Sequence, residues 1–153
     1  PGTRIRSRAV PAGRLMLGAA LLAGVATGGH AMDVEVIARG LRNQDGSALF
    51  AVFLEPAGFP GEGEQAAFRL EAPITGSEVR VRFTGLPDDR PLAIAVLHDE
   101  DGDKRMAMGF FGIPKEGFGV SNNPRILFGP PSFKDALLTP EPGQPVIIHM
   151  RYF

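Results

Sequence analysis

The sequence predicts an all-β protein: an antiparallel β-sandwich of about seven strands, of the immunoglobulin-like or transthyretin-like kind. Three observations predict it, namely short segments of alternating apolar and polar residues, turns rich in glycine and proline, and the lack of an amphipathic helical pattern. The chain of 153 residues contains 20 glycines, 14 prolines and no cysteine. Without disulfides the fold must be stabilised by burial alone, and a chain of this length can bury enough surface.

The first 31 residues have the pattern of a secretory signal peptide. Four arginines precede an apolar segment, residues 15–26, and the small residues Gly29 and Ala31 follow it. This pattern predicts cleavage after Ala31 and a single mature domain, residues 32–153, that is periplasmic or secreted. The apolar segment is shorter than the roughly 20 residues that cross a membrane, so we expect no membrane span after cleavage.

The mature domain carries more acidic than basic residues. The chain has 16 Lys+Arg and 17 Asp+Glu, and removal of residues 1–31 takes away four arginines and no acid. The remaining 12 basic and 17 acidic residues give a net charge of −5. A protein that follows a phosphate backbone needs a basic face, so this balance argues against a nucleic-acid partner.

The first half of the domain contains three predicted strands. Apolar and polar residues alternate over residues 32–39, which predicts a half-buried strand. The Asp45-Gly46 pair predicts a hairpin turn that leads into residues 48–54. That segment is apolar on both faces and therefore predicts a central strand, whereas residues 66–72 predict a short edge strand.

The second half adds three more strands and one helical turn. Residues 77–83 alternate again and predict a strand, residues 85–91 predict a turn, and residues 92–97 predict a nearly continuous apolar strand. Residues 132–138 predict a helical turn that is capped by its first serine. The alternation in residues 144–153 predicts the last strand of the sandwich.

Residues 98–131 have neither a strand period nor a helix period, and glycine and proline interrupt them throughout. They predict one long ordered loop, because they contain far more apolar residues than a disordered linker does. We expect its phenylalanines to plug the open end of the sandwich. Alternatively, Phe110, Phe111 and Phe118 form an exposed patch that docks a partner or another copy of the protein.

The run over residues 98–123, together with GPPSF at residues 129–133, resembles a bacterial family known as domain of unknown function 2141 (DUF2141). Its members share a strand that ends in His-Asp, an acidic glycine-rich turn, GIPKEG (here residues 112–117) and SNN (here residues 121–123). The resemblance implies an exported protein of unassigned activity. The GLP at residues 85–87 is similar to turns in transthyretin-like and carboxypeptidase-regulatory-like sandwiches, which implies that architecture.

Three acidic residues form the sharpest chemical signal. Asp99, Asp101 and Asp103 recur at every second position around Gly102, a spacing that lets a tight loop direct three carboxylates at one hard cation. Calcium takes roughly six to eight oxygen ligands, and the further ligands are missing here while Lys104 adds positive charge. The sequence therefore predicts weak Ca²⁺ binding at most. The alternative is a solvated acidic turn with side-chain to backbone hydrogen bonds.

Two function classes are compatible with these patterns. The preferred one is an exported envelope protein that acts as a non-catalytic binding or accessory module through residues 98–131, with an envelope protein or a small ligand as partner. The candidate binding residues of this loop are His98, Lys115, Glu116, Phe118, Ser121, Asn122 and Asn123.

The alternative is a small hydrolase-like enzyme that uses His98 and the acidic turn, although no nucleophile motif accompanies them. His98 is then a weak catalytic candidate. A non-catalytic interpretation is that His98 donates hydrogen bonds to loop carbonyls and holds the loop in place.

Overall fold

The computed structural model describes residues 29–153, and residues 1–28 of the predicted signal peptide lie outside this part. Two β-sheets make up the fold, one with the strand order β4-β1-β7 and one with the order β3-β2-β5-β6. The strands are β1 (Ala31–Arg39), β2 (Ser47–Phe53), β3 (Phe68–Pro73), β4 (Glu78–Pro87), β5 (Ala93–Asp99), β6 (Gly117–Val120) and β7 (Val146–His149). The predicted all-β class with about seven strands is therefore confirmed, and β6 is the strand that the sequence patterns did not locate.

Helical structure is confined to single turns within residues 29–153. The α-helical turn α1 (Phe133–Ala136) begins after Ser132, whose hydroxyl accepts a hydrogen bond from the backbone N–H of Asp135 at 3.1 Å. This confirms the predicted serine cap. Two 3₁₀ turns cover Gly63–Gln65 and Phe110–Gly112. In the described part of the chain, no helix is long and apolar enough to span a membrane.

The main core lies between the two sheets. Alternate residues of each strand point into it, as the period-2 patterns predict. The buried members from β1, β2, β4 and β5 are Val34, Val36, Ala38, Ala48, Phe50, Val52, Val79, Phe83, Leu86, Ile94 and Val96. Ile148 of β7 is also fully buried there. The two-sided apolar pattern of β2 has a separate cause on each face: Phe50 and its neighbours join this core, and Ala51 and Phe53 are buried on the outer face.

A second, smaller core covers one end of the outer face of the four-stranded sheet. Ala51, Phe53 and Ala93 point outward there and are buried beneath α1 and the segment that contains Phe59. The Phe59 ring packs edge-to-face on Phe53, with centroids 5.3 Å apart, and on Phe133 at 5.7 Å. The other end of the same outer face has no such cover, and it forms the cleft described below.

The predicted hairpin at Asp45-Gly46 is wrong. β1 belongs to the three-stranded sheet and β2 to the four-stranded sheet, so residues 40–46 cross between the sheets. Gly46 does have the positive φ, +64°, that the pair predicts. A side chain at this position would overlap the carbonyl group of Asp99, which explains the glycine without a hairpin.

Two further expectations need correction in the outer strands. The predicted turn at residues 85–91 begins too early, because β4 continues to Pro87 and pairs with the start of β1. The sandwich is antiparallel except for β1 and β7, which pair in parallel. These two strands are far apart in the sequence, so no tight turn connects them and forces them to run in opposite directions.

The segment 98–131 is not one continuous loop, because its middle forms β6. Strand β6 pairs antiparallel with β5, and the residues Gly117 and Gly119 face the interior. A Cβ at Gly117 would overlap the Tyr152 ring, and a Cβ at Gly119 would lie 2.6 Å from the Ile148 side chain. Close packing therefore selects glycine here, and glycine hides the strand pattern in the sequence.

Candidate functional site

The acidic turn, residues 99–105, is built around the fully buried carboxylate of Asp99. Its Oδ1 accepts a hydrogen bond from the backbone N–H of Gly102 at 2.9 Å, and its Oδ2 accepts one from Lys104 at 3.1 Å. Both oxygens of Asp99 are therefore used to close the turn. This is the side-chain to backbone bonding that the alternative to a metal site predicts.

The three predicted metal ligands do converge. One oxygen from each of Asp99, Asp101 and Asp103 lies within 4.8 Å of the others. Asp101 also accepts a hydrogen bond from the backbone of Asp103, and Asp103 accepts one from Arg105. The carboxylates thus fold the turn and at the same time place three anionic oxygens where a small cation could contact them.

His98 is fully buried and both of its ring nitrogens are hydrogen-bonded. Nε2 lies 2.9 Å from the carbonyl oxygen of Asp45, and because a carbonyl only accepts, Nε2 carries the proton. Nδ1 accepts a hydrogen bond from the Tyr152 hydroxyl at 2.7 Å. His98 therefore connects the end of β5 to the crossing segment and to the C-terminus.

Glu116 holds the two ends of the acidic turn together. Only 3% of its surface is exposed, and its two oxygens accept hydrogen bonds from the backbone N–H groups of Glu100 at 2.8 Å and Ala107 at 2.9 Å. A carboxylate is well suited to this position, because it can accept from two donors at once.

Arg42 completes the polar cluster beneath the turn. Its guanidinium donates to both carboxylate oxygens of Glu100 and to the carbonyl oxygen of Lys115, and it lies 4.6 Å from the ring centroid of Tyr152. The hydrogen bond from Arg42 lowers the pKa of Glu100, and burial raises the pKa of Tyr152. We call Arg42, His98, Glu100, Glu116 and Tyr152 the anchor network.

Ser121 and the two asparagines that follow it join β6 to its surroundings. The buried Ser121 hydroxyl donates to the carbonyl of Ala136 at 2.6 Å and accepts from the backbone N–H of Ile94 at 2.8 Å. The side chain of Asn122 donates to the carbonyl of Asp135 at 2.9 Å.

Asn123 pairs with β7 in the way that a strand residue would. Its amide donates to the carbonyl of Ile147 at 2.8 Å and accepts from the backbone N–H of His149 at 2.9 Å. With Ser121 and Asn122, it therefore ties the part of the predicted loop that follows β6 to α1 and β7.

An apolar cleft of about 710 Å³ lies on the uncovered outer face of the four-stranded sheet. Its floor is made by outward-pointing side chains of β2, β5 and β6, namely Leu49, Ala51, Ala95, Leu97 and Phe118. Its walls come mainly from residues 106–114 and 126–131 and from the C-terminal Phe153. The Phe118 and Phe153 rings are stacked, with centroids 5.9 Å apart.

The first wall is a narrow ribbon, residues 107–115, which we call the aromatic ribbon. Backbone hydrogen bonds from Lys115 to Ala107, at 2.8 Å, and from Gly109 to Ile113, at 2.7 Å, hold its two arms together. Phe110 and Phe111 form its tip and are 89% and 100% exposed. Their predicted role as a plug for the sandwich is therefore wrong, and the exposed-patch alternative describes them.

The second wall, residues 126–131, is also exposed. Leu127 and Phe128 are 77% and 97% exposed, and both line the cleft. One cation lies in the lining: Lys104, whose Nζ is 3.2 Å from a carboxylate oxygen of Glu71. Hydrogen bonds from Ser47 and Lys104 lower the pKa of this carboxyl. The cleft is thus mostly apolar, with one ion pair at its margin.

A family model described as uncharacterized proteins conserved in bacteria, DUF2141, matches residues 36–147. The chain belongs to the DUF2141 family. This match confirms the resemblance to DUF2141 that the motifs at residues 98–123 and 129–133 indicate. No curated protein and no solved structure matches the chain. The DUF2141 match includes the acidic turn, the aromatic ribbon and the second wall, but not Tyr152 or Phe153.

Sequence reasoning on this DUF2141 protein found the polar residues and missed most of the cleft. Of the candidate binding residues, only Phe118 lines the cleft, while Lys115 is exposed at the base of the ribbon. The residues missed are Leu49, Leu97, Met106, Met108, Ile126, Leu127 and Phe128. A signal exists for Leu49 and Leu97: β2 and β5 are apolar on both faces, although only one face of each packs on the other sheet.

Proposed function

We propose that this DUF2141 protein is a non-catalytic binding module of the cell envelope that takes up an apolar ligand in the cleft. The cleft itself carries the proposal: its volume of about 710 Å³ lies within the roughly 300–1,000 Å³ typical of ligand sites. Two segments of the predicted binding loop line it. The proposal therefore retains that loop as the binding element and changes the residues that contact the ligand.

The chemistry of the lining supports an apolar ligand. Leu49, Leu97 and Phe118 are half-buried on the floor, so a ligand that covers them removes apolar surface from water. Each 100 Å² of such surface contributes about 2.5 kcal/mol of transfer free energy, which is offset in part by the cost of association. The Lys104–Glu71 pair lies at the margin and gives the ligand's polar end a place to bind.

The anchor network supports the same proposal by positioning the walls. Glu116 and Arg42 hold the base of the aromatic ribbon, and His98 holds the crossing segment. The hydrolase-like alternative has less support, because a general base needs a free ring nitrogen and both nitrogens of His98 are engaged in the interior.

The envelope location rests on the sequence of residues 1–31. Export by a cleaved signal peptide predicts that the mature protein begins at Met32, one residue into β1. N-terminal sequencing of the protein recovered from the periplasm or the medium tests this. A retained N-terminal segment in that fraction would contradict cleavage.

Titration with Nile red, an uncharged dye that fluoresces in apolar surroundings, tests the binding site. We expect saturable binding of one dye molecule per chain. Leu97→Gln places an amide on the floor of the cleft, where it lacks partners, and should weaken binding roughly tenfold or more. The matched control is Leu70→Gln, on β3 and outside the cleft lining, which should bind as the wild type does.

Urea unfolding of both variants shows whether they are folded under the conditions of the titration. Absence of saturable binding by the wild type, or equal affinity for the folded Leu97→Gln variant, would refute the cleft as the binding site.

Weak Ca²⁺ binding by the acidic turn is the second candidate, favoured by the convergence of Asp99, Asp101 and Asp103. With a Kd of about 1 mM, as in extracellular calcium modules, Ca²⁺ at about 5 mM stabilises the native state by about 1 kcal/mol. Thermal melts should then show a Tm higher by about 3–5 °C than in chelator. Asp101→Asn should remove this shift, and an unchanged wild-type Tm would refute the site.

A further inference from the structure

The exposed large apolar side chains of residues 29–153 are concentrated in one region. Seven of the eight lie on the aromatic ribbon, on the second wall or at the C-terminus, and only Leu70 lies elsewhere. The most exposed are Phe110, Phe111, Leu127 and Phe128. Scattered exposed apolar residues are normal, but a concentration of this kind marks an interaction surface.

The backbone at the ribbon tip turns an aromatic ring outward at a conformational cost. Phe111 has φ 61° and ψ 19°, in the left-handed region that bulky residues disfavour, and Gly112 follows with φ 72°. The ring gains no burial in return, because it is fully exposed. A strained residue whose side chain is not used in folding indicates contact with another molecule.

Two basic side chains belong to the segments that carry these aromatic tips. Lys115 and Arg125 are exposed, and neither forms an ion pair with any other residue in the range 29–153. The Lys115 side chain extends along the ribbon beside Gly109, where a Cβ would lie 3.3 Å from its Cε atom. Arg125 directly precedes the second wall.

The acidic groups lie at the other end of the ribbon. Asp101 and Asp103 belong to the turn that precedes the ribbon, whereas Phe110 and Phe111 lie at the tip, where its two arms meet. Residues 107–114 and 126–131 contain no acidic residue, and the exposed Lys115 and Arg125 add positive charge to these two walls, although the domain as a whole is acidic.

We propose that Phe110, Phe111, Leu127 and Phe128 insert into the surface of a lipid bilayer that contains anionic headgroups. Aromatic and aliphatic tips enter the boundary between headgroups and acyl chains, while Lys115 and Arg125 pair with the headgroup phosphates. Phe111, Leu127 and Phe128 also line the cleft, so an inserted protein turns the cleft toward the acyl chains. This goes beyond the proposed function, because docking of the tips does not require an occupied cleft.

Cosedimentation with vesicles of phosphatidylcholine, with and without phosphatidylglycerol, tests the proposal. We expect the wild type to bind the anionic vesicles, and Phe111→Ser/Phe128→Ser to bind on the order of a hundredfold more weakly, because two ring insertions are lost. The matched apolar control is Leu70→Ser, which should bind as the wild type does.

The charge contribution has its own pair of variants. Lys115→Gln/Arg125→Gln should bind the anionic vesicles on the order of tenfold more weakly and bind phosphatidylcholine vesicles as the wild type does. Arg80→Gln/Arg82→Gln, on the other sheet, removes two cations far from the tips and should leave binding to anionic vesicles unchanged.

Three results would overturn the proposal: no binding to either vesicle type, undiminished binding by Phe111→Ser/Phe128→Ser, or equal loss in the Leu70→Ser control. Gel filtration adds a fourth, a wild-type dimer that Phe111→Ser/Phe128→Ser converts to a monomer and that binds no vesicles, which would assign the tips to self-association. The Leu97→Gln variant separates the two proposals, because it should lose dye binding without loss of vesicle binding.

Discussion

The anchor network and the apolar cleft are adjacent regions that differ in what their side chains contact. In the network, His98 and Glu116 are buried and each is hydrogen-bonded through two atoms. No buried side-chain nitrogen or oxygen in residues 29–153 lacks a partner. In the cleft, by contrast, Phe111 and Phe128 contribute almost nothing to the interior.

This difference shows which residues are available for function. A buried polar group without a partner costs about 1–3 kcal/mol, so folding itself requires the buried residues of the network, His98 and Glu116, to be bonded. No comparable requirement places phenylalanine on the surface. The conspicuous polar residues are thus explained by the fold, whereas the exposed apolar ones are not and mark the site.

The largest effect should come from the crossing segment beneath the network. Gly46→Ala adds a Cβ that overlaps the Asp99 carbonyl in a left-handed conformation, and we expect the free energy of unfolding in urea to fall by about 3 kcal/mol or more. Gly102→Ala is the matched control. It has φ +79° but open space around the added Cβ, so only the conformational cost of about 1 kcal/mol applies. Equal losses would show that the overlap is relieved easily.

Glu116→Gln tests the bracing of the acidic turn. The glutamine amide accepts hydrogen bonds through one atom only, so the backbone N–H of either Glu100 or Ala107 loses its acceptor. We expect a loss of about 2 kcal/mol in urea unfolding. The exposed Glu64→Gln serves as control and should stay within about 0.5 kcal/mol of the wild type. An unchanged free energy of unfolding for Glu116→Gln would mean that the second hydrogen bond of Glu116 does not stabilise the fold.

Acid should weaken the same network through Glu100. Its pKa is lowered in the folded protein by the hydrogen bond from Arg42, so its contribution is present above the unfolded pKa of about 4.3. It is lost as the pH falls through the lower folded pKa. Arg42→Gln should cost about 1 kcal/mol at pH 7 and less at pH 3, as measured by urea unfolding. An Arg42→Gln cost that does not depend on pH would contradict this linkage.

Much of the fold follows from local patterns in the sequence. Period-2 alternation locates β1, β4 and β7, and the two-sided apolar pattern locates β2 in the sheet interior. The serine cap of α1 depends only on two residues that are three apart, so the sequence also predicts it. The spacing of the three aspartates likewise predicts their convergence.

What the sequence does not reveal depends on distant partners. His98 is hydrogen-bonded to Asp45 and Tyr152, which are 53 and 54 residues away. The residues next to His98 in the sequence therefore do not show whether it acts as a base or connects parts of the fold. A glycine-rich turn gives no sign of which sheet receives the next strand. The glycines of β6 are selected by Tyr152 and Ile148, which the sequence places far downstream.

The smallest effect on stability should come from the aromatic tips. It tests most directly whether the exposed rings, unlike the anchor network, are dispensable for folding. Phe111→Ser and Phe128→Ser remove side chains that are 100% and 97% exposed, so we expect the free energy of unfolding to change by less than about 0.5 kcal/mol. Phe50→Ala, in the core at 1% exposure, should cost about 3–5 kcal/mol in the same urea titration. A loss above about 1 kcal/mol in either tip variant would mean that the rings stabilise the fold, and it would remove the reason to assign them to binding.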